Sequence, residues 1–113
     1  MSEARLASGF EVGALRRLTE ALGGSATVVR KGDEDRGQIL LCLSRRGVYQ
    51  TFLERTLQPS GTYDWSRVGP VPEEAEKTDS FAQRRVKFDS DSWLIDLDIP
   101  DPERFIAEIS RSG

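Results

Sequence analysis

The sequence predicts an α+β domain: a mainly antiparallel sheet of about five strands, with helices at the N-terminus, before the last strand and at the C-terminus, in the order α-β-β-β-β-α-β-α. Three observations lead there. Residues 26–57 read as three consecutive strands separated by short polar loops, with the most apolar one in the middle. That middle stretch, Gln38 to Arg45, carries Ile39, Leu41 and Leu43 on one face and Leu40 and Cys42 on the other. A strand apolar on both faces is central and covered on both sides, which requires helices on both faces or a sheet that curls over itself. Third, two helical patterns bracket the strands, and a last strand and short helix follow.

The first element is an amphipathic helix at about 10–22. Val12, Leu15, Leu18 and Leu22 recur at three- and four-residue steps. Ser8 and Glu11 have capping-box spacing, and Gly23-Gly24 ends the helix. Thr27 to Lys31 is a short β-branched strand, and the Gly32–Gly37 loop after it reads as a solvated hairpin turn with acidic tips. After the central strand, Arg45-Arg46-Gly47 is a tight turn into Val48–Leu57, with Tyr49, Leu53 and Leu57 on one side and Val48 and Phe52 on the other. These three strands and the next, four in a row, are expected to meander. Tyr63–Val68 is short and polar, the signature of an edge.

Pro72 begins a helix running to about Lys87, with Glu73, Glu74 and Glu76 at its positive end. Its weak buried stripe is Ala75, Thr78, Phe81, Ala82, Arg85 and Phe88. Trp93, Ile95, Leu97 and Ile99 alternate with Leu94, Asp96 and Asp98, the clearest half-buried strand in the chain. Pro100 stops it, and Asp101 caps a short helix from Pro102 that buries Phe105, Ile106 and Ile109. Ser110 to Gly113 is expected to fray.

Composition bounds the function. The 113 residues form one domain, 1–113, with enough chain for a core that needs no disulfide or metal. Cys42 is the single cysteine and histidine is absent, which points to a reducing, cytoplasmic setting and excludes serine–histidine catalysis. No apolar run approaches a membrane span, and the N-terminus lacks a signal-peptide pattern. The net charge of −3 disfavours nucleic acid, although residues 1–58 hold nine Lys/Arg against seven Asp/Glu.

Several residues carry candidate chemistry. Cys42, flanked by leucines and without a histidine to ionise it, reads as a small core residue. Arg30, Lys31, Asp33, Asp35 and Arg36 make a mixed-charge loop, an interaction surface in miniature. Asp33, Glu34 and Asp35 are the chemistry for a hard cation, though no phosphate-cradling motif follows. Asp89-Ser90-Asp91 starts like a calcium loop but has Leu94 where glycine is needed and Pro100 where glutamate is needed. Arg84, Arg85 and Lys87, close to Phe88 and Trp93, are the densest basic cluster. They suit single-stranded RNA, or simply the negative end of a helix whose aromatic neighbours are in the core. The central strand has no carboxylate for a magnesium-dependent nuclease site, and Glu54-Arg55-Thr56 is a poor substitute.

Three stretches carry a resemblance: residues 2–9 with the Ala14–Arg17 helix, Val28 to Asp33 with its loop ending at Gly37, and Phe88 to Trp93. On these the chain resembles the small bacterial family known as domain of unknown function 1491. The likeness covers nearly the whole chain. Arg36, where a small residue commonly precedes the glycine, and Ser90 and Ser92, in place of bulkier residues, depart from the pattern and reduce the weight of those loops. The resemblance implies a stand-alone cytoplasmic domain and assigns no activity and no site.

The expected function is therefore a small non-catalytic interaction or regulatory domain, with no cofactor or metal, no membrane and a protein partner. It would meet that partner through Tyr63–Val68 or the residue 30–37 loop. RNA binding through the basic cluster and a metal-dependent enzyme built on the acidic loop are the alternatives.

Overall fold

A computed structural model describes residues 7–110. The elements are α1 (Ser8–Ala21), β1 (Ser25–Arg30), β2 (Ile39–Arg45), β3 (Val48–Leu57), β4 (Tyr63–Val68), a 3-10 helix (Pro72–Lys77), α2 (Thr78–Phe88), β5 (Trp93–Asp98) and α3 (Pro102–Ser110). The resemblance seen in residues 2–6, and the end of the tail at 111–113, lie outside the described residues.

The five strands form one sheet in the order β1-β5-β2-β3-β4. β2 is its centre, as its two apolar faces require. On the first face Ile39, Leu41 and Leu43 join Leu53, Ile95 and Leu97 under α1 (Val12, Leu15) and α3 (Phe105, Ile109). On the second face Leu40 and Phe52 pack against Ala82 of α2, with Cys42 and Phe81 beside them. Leu41, Leu43, Leu53, Ile95 and Phe105 are each 1% exposed or less, and such side chains contribute about 2 kcal/mol apiece by leaving water.

The order corrects the expected meander. β2–β3 and β3–β4 are antiparallel hairpin neighbours, but β1 does not touch β2. β5 inserts between them, antiparallel to β1 and parallel to β2, so the sheet is mixed. β5 alternates like a half-exposed strand, yet its Ile95 and Leu97 complete the first-face core that β1, with only Ala26 and Val28, cannot fill. Burial of that face outweighs the short loop that would have paired β1 with β2. The Gly32–Gly37 loop is accordingly a bridge over the start of β5 and not a hairpin.

Smaller departures have local causes. Ala7, not Ser8, precedes the first helical residue of α1. Ser8 Oγ donates instead to the Gly37 carbonyl at 2.7 Å, and Glu11 pairs with Arg55, so no capping box forms. An irregularity in the β2–β3 pairing at Leu43/Ser44 turns Tyr49 onto the second face. There its ring lies 5.6 Å from that of Phe52 and its hydroxyl donates to the Pro70 carbonyl at 2.6 Å. The helix expected at 72–87 divides at Lys77, the first part being 3-10 with Glu74 in a non-helical conformation. Phe88 is 95% exposed and takes no part in the core, because α2 ends there and the chain turns back toward β5. The Arg46-Gly47 turn has both residues at positive φ, 52° and 80°, and Asp98 fixes it by accepting both backbone N–H groups at 2.8 Å.

Candidate docking groove

α2 runs back along the sheet, antiparallel to the strand it leads into. Its Asp79 comes within electrostatic reach of Asp96 and Cys42, which pair side by side in β5 and β2, and its Arg85 reaches Glu54 nearer the start of β5. The helix covers β2 and β3. Toward β1 it leaves a groove of about 410 Å³, within the size range of ligand sites. Val29 of β1 and Leu94 of β5 form the sheet side. Asp79, Ala82, Gln83 and Val86, at i, i+3, i+4 and i+7, form the helix side. Lys87 and Arg30 close the end near the start of β5. Asp79 and Lys87 are roughly 12 Å apart along the helix axis, at 1.5 Å per residue, so the groove is acidic at one end and basic at the other.

Val29 is 52% exposed. No ion pair reaches Asp79, Asp96 or Lys87 among the described residues. The Asp96 carboxyl is pushed above its ordinary pKa, first by partial burial and then by the facing charge of Asp79. Two half-buried carboxylates elsewhere are matched by arginines: Glu11 pairs with Arg55, which lies 4.5 Å from the Trp65 ring centroid, and Glu54 pairs with Arg85, which lies 5.0 Å from that of Phe81.

The residues singled out from the sequence fall in several places. Arg30 reaches the groove while its guanidinium donates to the Ser90 carbonyl at 2.8 Å. The rest of the mixed-charge loop is a structural junction. The Asp33 carboxylate accepts the backbone N–H groups of Asp35 and Arg36, and its carbonyl accepts Trp93 Nε1–H at 2.8 Å. Lys31 pairs with Glu34 at 2.9 Å. The Glu34 carbonyl accepts the Gly9 N–H at 2.8 Å, tying the loop to the start of α1. Gly32 and Gly37 press so closely on the Asp91 carbonyl that a Cβ would lie 2.3 and 2.2 Å from its oxygen. Asp35 and Arg36 are exposed.

The loop's acidic side chains therefore do not converge, and no group of three or more metal-ligating side chains gathers among the described residues. The basic cluster divides: Arg85 is held by Glu54, Lys87 borders the groove, and Arg84 lies on the solvent side of α2. Cys42 is half-buried, and burial followed by the charges of Asp96 and Asp79 pushes its thiol up to about 12, the opposite of an activated nucleophile. β4 is an edge strand as expected, and Asp64 Oδ1 accepts the backbone N–H of Trp65 there.

The sequence reading missed Val29, Asp79, Val86 and Leu94 as a set. Val29 and Leu94 lie 65 residues apart, on strands that meet only through the insertion of β5. The one local signal was the i, i+3, i+4, i+7 spacing from Asp79 to Val86.

Together these features define a five-stranded α+β domain with a bipolar groove beside α2. The chain belongs to the family described as "Protein of unknown function (DUF1491)", whose model matches residues 6–107. Solved structures agree. A crystal structure of a DUF1491 family protein from Caulobacter crescentus is similar with a TM-score of 0.78 and 27% identity, covering 89% of this chain and 94% of that one. An NMR structure of a DUF1491 family protein from the same bacterium gives 0.75 and 28%, covering 92% and 94%. A solution structure of a protein from A. tumefaciens gives 0.70 and 25%, covering 91% and 93%. No curated protein matches the chain. No helix among the described residues is long and apolar enough to cross a membrane.

Proposed function

We propose that the protein is an interaction domain and that its docking surface is the open β1–β5 half of the second sheet face, beside α2. The observation that carries this reading is the groove itself. Val29 stands in solvent next to Val86 and Leu94, and the Asp79 carboxylate at one end of the groove has no ion-pair partner among the described residues, whereas Glu11 and Glu54, half-buried elsewhere, are each matched by an arginine. Apolar surface beside unneutralised charge is the composition of a surface completed by a partner. The groove is favoured over the two surfaces expected from the sequence because the 32–37 loop uses backbone contacts to hold α1, β1 and β5 together.

Site-specific photo-crosslinking in cells that naturally carry the protein tests this. A photoreactive phenylalanine at Gln83, exposed in the groove wall, should give a discrete adduct that Val86→Glu abolishes. The same group at Arg17 on α1 should not give it. An adduct equally strong from both positions, or none from Gln83, would remove the groove as the docking surface.

A further inference from the structure

The two faces of the sheet are unequally covered. Among the described residues the first carries α1 and α3, and the second carries α2 over Leu40 and Phe52 of β2 and β3, with the 3-10 helix beside it against β3. The uncovered part is two strands wide, about 10 Å at the usual strand spacing. That is the separation at which one helix packs beside another. Resting on the docking reading above, we infer that the occupant is an amphipathic helix of a partner protein, lying alongside α2, with a Lys or Arg placed between Asp79 and Asp96.

Three features specify it. The groove lies above the sheet and not beyond its edge, since Leu94 of β5 lines it from inside β1. A strand added to β1 would sit outside Val29 and leave Leu94 open, whereas a helix resting on β1 and β5 covers both. Second, Asp79 lines the groove, and Asp96 follows Leu94 by two residues on the same face of β5, beside Cys42; neither has an ion-pair partner among the described residues, so a single basic side chain between them satisfies two carboxylates. Third, the apolar patch lies farther along, Leu94 about one helical turn from Asp96 and Val86 about two turns from Asp79, with Val29 beside them and Lys87 and Arg30 at the end of the groove. A helix read in that direction presents a basic residue, then an apolar residue three or four positions later, then an acidic residue after a further turn. This is helix-in-groove recognition with the register fixed by charge.

Selection against the whole protein tests the assignment. One displayed library holds 15-residue alanine-based helical peptides randomised along one face; a second holds unstructured random 12-residue peptides. The helical library should yield binders with Lys or Arg three or four positions from Leu, Ile, Val or Met. Their affinity should fall at least tenfold on Asp79→Lys or Val29→Glu and hold within twofold on Arg17→Glu. All three positions are exposed, and circular dichroism of each variant checks that the fold survives. Helical binders lacking a basic residue, or indifferent to Asp79→Lys, overturn the inference. Groove-dependent binders from the unstructured library alone, with slowed amide exchange in β1, overturn the helix while leaving the docking surface in place. Binders from neither library that respond to Val29→Glu defeat both.

Discussion

Replacing Gly37 by alanine isolates what the Gly32–Gly37 loop does. The added Cβ would lie 2.2 Å from the Asp91 carbonyl oxygen and 2.9 Å from both the backbone nitrogen and the oxygen of Asp33. All three are backbone atoms, so no side chain can swing aside. Relieving the clash moves the loop by on the order of 1 Å, an overpacking cost of about 1–3 kcal/mol. The shift also strains two hydrogen bonds, Ser8 Oγ–H to the Gly37 carbonyl at 2.7 Å and the Asp33 N–H to the Asp91 carbonyl at 2.9 Å. Each contributes about 1 kcal/mol. The total is about 3 kcal/mol, or roughly 12 °C in melting temperature at about 4 °C per kcal/mol for a domain of this size. Gly47 is the matched comparison. It sits at φ 80° with nothing within 4 Å of a built Cβ, so its alanine variant bears only the conformational cost, about 1 kcal/mol. Thermal and urea unfolding of both variants should rank Gly37→Ala well below Gly47→Ala. A Gly37→Ala protein melting within 3 °C of the parent, or level with Gly47→Ala, would show that the loop is not the rigid junction described.

Asp96 gives a pH dependence with a definite sign. Its carboxyl is raised above the ordinary 3.8, so the folded state holds the proton more tightly than the unfolded one; the stability this contributes is full below about that value and is lost as pH rises through the folded-state value. Asp96→Asn, which never ionises, should therefore be at least as stable as the parent at pH 7 and lose that advantage near pH 3, measured by urea unfolding at the two pH values. Because Asp96 is partly solvated the difference is small, and Asp79→Asn should lower the Asp96 titration midpoint seen by NMR. With its thiol pushed from 9.0 up to about 12, Cys42 holds on the order of a thousandfold less thiolate at pH 8 than a free thiol; labelling by a thiol reagent should be slow in native protein and fast in 6 M guanidinium, and equal rates would contradict the packing. Arg85→Ala breaks the pair with Glu54, whose side chain is only 13% exposed, and should cost about 1–2 kcal/mol. Arg84→Ala on the solvent side should cost less than about 0.5 kcal/mol by the same denaturant titration.

Much of this was legible before folding. Hydrophobic period alone places β3 and β4 at their observed limits and α1, β2 and β5 within two residues, because a strand or helix with one buried face writes that face into the sequence every second or every third to fourth residue. The two apolar faces of residues 39–43 correctly required helices above and below the sheet. Terminators acted as read: Gly23 has φ 83°, and Asp101 accepts the Arg104 N–H at the start of α3. The family resemblance also held over nearly the whole chain.

Pairing was not legible. β1 could have joined β2 through a short loop or β5 through a long excursion, and the local pattern of Thr27 to Lys31 is the same in both cases. Exposure of Phe88 was misread because helical spacing says where a stripe points, not where the neighbouring sheet ends. The groove depended on both. Val29 and Leu94 are ordinary strand residues until β5 slots beside β1, and Asp79 is an ordinary helical carboxylate until α2 brings it within electrostatic reach of Asp96.

The sequence by itself determined which segments are helix and strand, which strand is central, and that no histidine-dependent chemistry is available, since these follow from residue type and period within a few neighbouring positions. Only the tertiary structure decided that β5 separates β1 from β2, that the glycine-bounded acidic loop is a clasp, and that half of one sheet face is left open beside α2. Those outcomes depend on which of several apolar surfaces, far apart in the chain, leave the least area in water when packed together, and no local pattern encodes that comparison.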